Sequence, residues 1–281
     1  MILNQRWRNS LHYILAALIA WGLKYHYSRA DCAELVWILA PTAGLVELVG
    51  GIPFEYEAHT GFVSRRYRVV IAPSCAGVNF MLIAFCMAAF AGIQAFERRR
   101  SKLLWLGAGC LSAYLLTVAV NTVRIIVSIH SFNADVGLGW MTAARVHRLE
   151  GIVIYSFFLG LFYMIIRQMH CYLAGGTDDP KPDRGTPNDC LERASDYLRR
   201  ACSGLAPLFW YGLIALGVPL ANGAWRADAV LFAEHGAMVL TAGSGVLGAL
   251  YLLRVAGRNI LHHLSKLAFE ARRKIVRGTD K

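Results

Sequence analysis

The chain has 281 residues, 56% of them hydrophobic, a mean hydropathy of +0.43 and a formal net charge of +11. Several apolar runs reach the roughly 18 to 20 residues that carry a helix across a bilayer, which excludes a water-soluble core as the organising unit. The basic excess does not point to nucleic acid. Lys and Arg fall between and after the apolar runs, where they set topology and meet anionic headgroups. The expected fold class is all-α: a polytopic helical membrane protein with about six to eight transmembrane or re-entrant helices.

Met1 to Ser10 is polar and basic, and the apolar run after it lacks a small-residue cleavage site. It reads as a retained first helix with its core at Leu11 to Leu23, and Trp7 and Trp21 as interface anchors. Leu35 to Ile52 is apolar but holds Pro41, Glu47 and several glycines. It reads as a full span, a re-entrant piece or a surface helix. Residues 53–72 alternate loosely and suggest a short hairpin or extended loop. Pro73-Ser74 then leads into Cys75, and Ala76 to Phe96 is apolar. That helix ends at the basic turn Glu97 to Lys102.

Leu103 to Val120 is the next predicted span, continuing to Val127. A polar loop from His130 to about Arg148 follows, and Gly151 to Ile166 spans again. Residues 167–204 are polar, with a Gly/Pro/Asp-rich middle that suggests flexibility. Leu205 to Ala224 and Val230 to Leu253 make a last helical pair. In the tail, Ile260, Leu264, Leu267, Ala271 and Ile275 recur at helical spacing among basic residues. Such a segment lies on an anionic membrane surface or extends as a solvated basic tail.

Most of the 29 Lys and Arg lie in the N-terminus, the 97–102 turn, the 167–204 segment and the tail. The positive-inside rule puts these in the cytoplasm. Cys75, the far end of the 103–127 helix and the 130–150 loop then face outward. An odd number of crossings must separate residue 10 from Cys75. Leu35 to Ile52 therefore does not cross completely, unless 53–72 also enters the membrane.

Three residues on that outer side stand out. Cys75 sits at the N-terminal mouth of a helix, where unpaired N–H groups and the helix dipole favour a thiolate. Its plain alternative is a small buried hydrophobe. Arg124 interrupts an apolar helix at a cost of roughly 2.5–3.5 kcal/mol, unless it snorkels to headgroups. Asn121, three residues earlier, shares its face and is placed to bond Arg124 or a substrate carbonyl. His147 precedes a membrane helix on the same side, with His130 as its rival and His59 a weaker one. Together a thiol, a guanidinium and an imidazole suit acyl transfer: Cys75 as nucleophile, His147 as general acid and base, and Arg124 supporting thiolate or oxyanion. Backbone N–H groups around Ala76 and Gly77 are further oxyanion donors, and Gly77 leaves room for close substrate approach.

These residues fall into motifs. Cys75-Ala76-Gly77, Asn121 to Arg124 and His147 to Gly151 match, in order, the Cys-x-Gly, Asn-x-x-Arg and His-x-x-x-Gly motifs of the exosortase/archaeosortase family. The sequence resembles these polytopic membrane cysteine transpeptidases over roughly residues 10–170. The Asn79-Phe80-Met81 extension is similar to the exosortase K branch. Ala76 departs from the commoner Cys-Ser-Gly, removing a hydroxyl beside the nucleophile.

The resemblance implies an exosortase-like catalytic membrane core over 1–170, and the charge distribution adds a cytoplasmic loop over 171–204. A transmembrane pair over 205–253 and a basic tail over 254–281 follow. It implies catalysis by Cys75, Arg124 and His147, with Gly77, Asn79 and Asn121 on the substrate, and no metal or cofactor. The implied setting is the bacterial inner membrane, with the site on the extracytoplasmic face among membrane lipids. The implied partners are secreted proteins ending in a sorting signal of recognition motif, membrane helix and basic tail. No nucleic acid is expected.

Among the seven cysteines no spacing suggests zinc or a disulfide framework. Only Cys32 is expected to share a side with Cys75, and Cys75 is expected to be free. Other classes compete with this reading. A membrane transporter would use Arg124 as an anion site, a protease would pass the thioester to water, and an anchor or assembly protein would need none of the three residues.

Overall fold

The computed structural model describes residues 2–133, 142–173 and 205–278. The chain is predominantly helical. Helices α1 (Ile2–Tyr27) and α2 (Val36–Gly50) precede a small sheet, β1 (Glu55–Glu57), β2 (Gly61–Ser64) and β3 (Val69–Ile71). A 3₁₀ turn, Pro73–Cys75, leads to α3 (Val78–Gly92); α4 (Arg99–Asn133) and α5 (Ala143–Leu173) follow. Next come α6 (Ala206–Gly212), a π-helical stretch (Leu213–Gly217), α7 (Val218–Ala221) and the long α8 (Ala229–Gly278). The expected hairpin is a three-stranded antiparallel meander in the order β1-β2-β3, so the fold is not purely helical.

Four described segments are long and apolar enough to cross a membrane: Pro73–Ala95, Arg99–Ser131, Ala143–Met169 and Ala229–Gly257. The first is α3 with its flanking turns and forms the core. Nearly every side chain from Phe80 to Ala89 is buried. Around it the other helices keep the hydrogen-bonding backbone internal, as a bilayer requires.

Side-chain contacts give the directions. Tyr13 stacks on Phe90 at 5.0 Å, and Lys24 Nζ donates to Asn79 Oδ1 at 2.7 Å, so α1 runs antiparallel to α3. Trp105 Nε1 donates to Ala88 O at 3.0 Å, while Asn121 reaches the Cys75 carbonyl, so α4 is also antiparallel to α3. Arg145 pairs with Glu234, and Gly160 faces Leu247 and Leu250, so α8 runs parallel to α5. The break after Gly212 precedes Pro219, whose missing N–H interrupts the α-helical ladder.

Helix α2 runs beside α4 from the level of Tyr114 to that of Ile126. Its Pro41 cannot donate to the Trp37 carbonyl four residues back. The Tyr114 hydroxyl fills that vacancy at 2.9 Å.

Two boundaries differ from the sequence-based reading. The predicted 130–150 loop is largely helix: α4 runs on to Asn133 and α5 starts at Ala143. Thr142 starts α5, its Oγ1 accepting from the Arg145 N–H at 3.4 Å. The basic tail continues α8 rather than forming a separate helix. The polar segment expected over 171–204 lies, from residue 174 onward, outside the described residues. So do the side chains of Trp7, of the tail's amphipathic face, and of Cys171, Cys190 and Cys202.

Candidate active site

One end of the bundle holds a cavity of about 230 Å³ lined by Arg68, Val69, Val70, Ile71, Cys75, Arg124, Ile125, Ser128, Ile129 and His147. Four separate elements contribute: the β2–β3 turn with β3, the 3₁₀ turn, α4 and α5. All three residues singled out in the sequence, Cys75, Arg124 and His147, therefore share one cavity.

Cys75 is half-buried and closes the 3₁₀ turn; its N–H donates to Ala72 O at 2.8 Å. Ala76 is fully buried, and its N–H donates to Pro73 O at 3.1 Å. That N–H is committed to the turn, a correction to the expectation that it faces an oxyanion. The N–H groups that open α3 at Val78 lack intrahelical acceptors.

Gly77 precedes α3 with φ +71. A Cβ there would lie 3.1 Å from Thr117 Cγ2 and 3.3 Å from Asn121 Cγ. Only glycine combines that backbone with so close an approach of α4. Asn121 is fully buried. Its amide donates to the Cys75 carbonyl, and its Oδ1 accepts from the Tyr155 hydroxyl at 3.1 Å. Asn121 is thus engaged with the backbone of Cys75 and with Tyr155, rather than with Arg124.

Arg124 extends from α4 across α5. Nη1 donates to the Tyr155 hydroxyl at 3.1 Å, and Nη2 lies 3.1 Å from His147 Nε2. A Cβ on Gly151 would stand 3.1 Å from Arg124 Nε, so the missing side chain lets the guanidinium lie flat on α5. The two motif glycines have parallel uses: Gly77 admits Asn121 and Gly151 admits Arg124. Among the described residues no carboxylate pairs with Arg124, and none lines the cavity.

His147 lies in the second turn of α5, not in a loop. Its Nδ1 is 3.1 Å from Ser128 Oγ. The rivals His130 and His59 are exposed and line no part of this cavity. Asn79 is also outside the lining, its side chain held by Lys24 of α1. Cys32, Cys75, Cys86 and Cys110 are each unpaired.

Sequence reasoning passed over Arg68, Ser128, Glu150 and Tyr155. Arg68 has φ +54, an uncommon conformation for a non-glycine residue, and a turn position that no sequence pattern announced. The others carried a usable signal. Ser128 is one helical turn beyond Arg124, Glu150 three residues beyond His147, and Tyr155 one turn beyond Gly151, each on the motif residue's face. Compared with protein-family models, with curated proteins and with solved structures, the chain matches none.

Proposed function

We propose that this chain is a membrane-embedded cysteine peptidase of the transpeptidase type, acting on peptide bonds at the membrane–water interface. The observation that carries the reading is the convergence of Cys75, Arg124 and His147 on one cavity, which no carboxylate of the described residues lines. The resemblance of the three motifs to exosortases supports it.

In this reading the Cys75 proton passes to His147, and the thiolate attacks the scissile carbonyl carbon. Arg124 steadies first the thiolate and then the oxyanion of the tetrahedral intermediate. The C–N bond breaks as His147 returns its proton to the leaving amine, which leaves a thioester on Cys75. An acceptor nucleophile then attacks the thioester, giving its proton to His147 and restoring the thiolate. Water in place of the acceptor gives hydrolysis.

The substrates are secreted proteins with a C-terminal recognition motif, membrane helix and basic tail. They are cleaved on the extracytoplasmic face of the bacterial inner membrane. Counting α1, α2 and the broken α6–α7 with the four long helices gives seven, within the proposed six to eight transmembrane or re-entrant elements.

Co-expression with membrane-tailed secreted proteins tests the function. Wild type releases a shortened product, and Cys75→Ala leaves the precursor intact. Product mass separates transfer, which adds the acceptor, from hydrolysis, which leaves a free carboxyl terminus. Arg124, which no carboxylate of the described residues pairs, also suits an anion site in a transporter. That reading requires Cys75→Ser to keep function while Arg124→Ala loses it.

A further inference from the structure

His147 has two ring nitrogens, and its neighbours determine which one carries the proton. Nε2 lies 3.1 Å from Arg124 Nη2. A guanidinium only donates, so Nε2 accepts and is unprotonated. Nδ1 lies 3.1 Å from Ser128 Oγ, and that oxygen donates to Glu150 Oε2 at 3.2 Å. A hydroxyl that spends its one hydrogen on a carboxylate can only accept from the ring. The Nδ1–H therefore donates to Ser128.

We infer that Ser128 and Glu150 are positioning residues that hold His147 in its Nδ1–H tautomer and turn Nε2 toward Arg124 and the cavity. The kinetic consequence rests on the peptidase reading; the tautomer does not. Helical spacing builds the relay. Ser128 follows Arg124 by one turn on α4, and Glu150 follows His147 by three residues on α5. The face of α4 that presents the guanidinium therefore also presents the hydroxyl.

The chemical use follows from proton accounting. Each time Nε2 takes a proton, from the Cys75 thiol or from the acceptor, the ring becomes an imidazolium. Its charge spreads to Nδ1–H, which the Ser128 oxygen and the Glu150 carboxylate stabilise. No proton moves to Ser128 or Glu150. Among the described residues, the charged and titratable groups around the ring are Arg124 from α4, Glu150 from α5, and Arg68 with Cys75 across the cavity. On the α8 side, Glu234 is held by Arg145 and Arg148. Among the described residues, Glu150 is thus the carboxylate connected to the ring.

The test uses full-length protein in lipid nanodiscs with ¹⁵N-labelled histidine, the His147 signals being assigned by their loss in His147→Gln. Wild type is expected to show the Nδ1–H tautomer. Ser128→Ala and Glu150→Gln remove the hold on Nδ1, so the ring is expected to turn away from Arg124 and show a mixture of tautomers, while Ser128→Thr retains the single one. An Nε2–H ring in wild type, or an unchanged ring in both disrupting variants, overturns the inference.

A second arm follows substrate processing in membranes against pH. Glu150→Gln is expected to slow processing about tenfold or more, part of what general acid–base catalysis contributes. Its pH profile should differ from wild type, because the carboxylate that the imidazolium meets through Ser128 is gone. Ser128→Thr should restore what Ser128→Ala loses. If Cys75→Ala is inactive while both disrupting variants keep the wild-type profile, the relay falls and the peptidase reading stands. If Cys75→Ala still processes substrate, the peptidase reading falls, and the nitrogen shifts decide the tautomer by themselves.

Discussion

Arg124 stands in an apolar helix with a hydroxyl and an imidazole as its partners. A planar guanidinium reaches both at once from fixed positions, whereas an ammonium is a point charge on a flexible stem. Arg124→Lys is therefore expected to lower processing by ~10²–10³-fold, the range for removing an oxyanion donor. The fraction of co-expressed substrate cleaved measures it. Gly77 makes a separate claim about stability. Its φ of +71 costs an L-residue roughly 1–2 kcal/mol, and the Thr117 methyl leaves little space for a Cβ. Gly77→Ala is expected to destabilise the detergent-solubilised protein by about that amount, read from its unfolding midpoint.

At the scale of elements, the site depends on how closely α3, α4 and α5 approach one another. Each approach is set by a missing side chain: Gly77 between α3 and α4, and Gly151 between α4 and α5. Small residues serve this purpose in membrane bundles, where close van der Waals packing takes over from the hydrophobic effect. The opposite end of α3 uses the same device. A Cβ on Gly92 would fall inside the Trp105 indole, whose Nε1 donates to Ala88 O at 3.0 Å. A rigid ring cannot yield there. Gly92→Ala is expected to cost about 1–3 kcal/mol and to change tryptophan fluorescence. Processing per folded molecule should be unchanged, because Cys75 lies at the far end of the helix.

At the scale of the molecule, α3 joins Cys75 to the basic turn at 97–102, and Pro73–Ala95 is long enough to cross the bilayer. The two must then face opposite sides. In a variant whose other cysteines are replaced, a membrane-impermeant thiol reagent on intact cells is expected to label Cys75. A cysteine placed at Ser101 should react only after permeabilisation. Labelling of both from outside would remove α3 as a span, and labelling at position 101 alone would remove the extracytoplasmic site.

Much of the architecture was open to reading because apolar run length is a local property, and bilayer thickness converts it directly into spans. The motif residues were equally visible, as polar or reactive groups in apolar surroundings. The start of α5 was not: Arg145 to Glu150 looks like a loop by hydropathy, and only the Thr142 cap marks it as helix. Asn121 was visible as a polar residue on the face of Arg124, but which backbone lies opposite it was not. That turned out to be Cys75's own. The choice of His147 over His130 and His59 likewise needed three helices in place.

The sequence by itself determined that this chain forms apolar helices and that a thiol, a guanidinium and an imidazole belong to their polar exceptions. Only the tertiary structure decided that these meet in one cavity, and that Ser128 and Glu150 stand behind the imidazole. Which faces of α4 and α5 oppose each other depends on contacts between distant residues, and no local pattern records them.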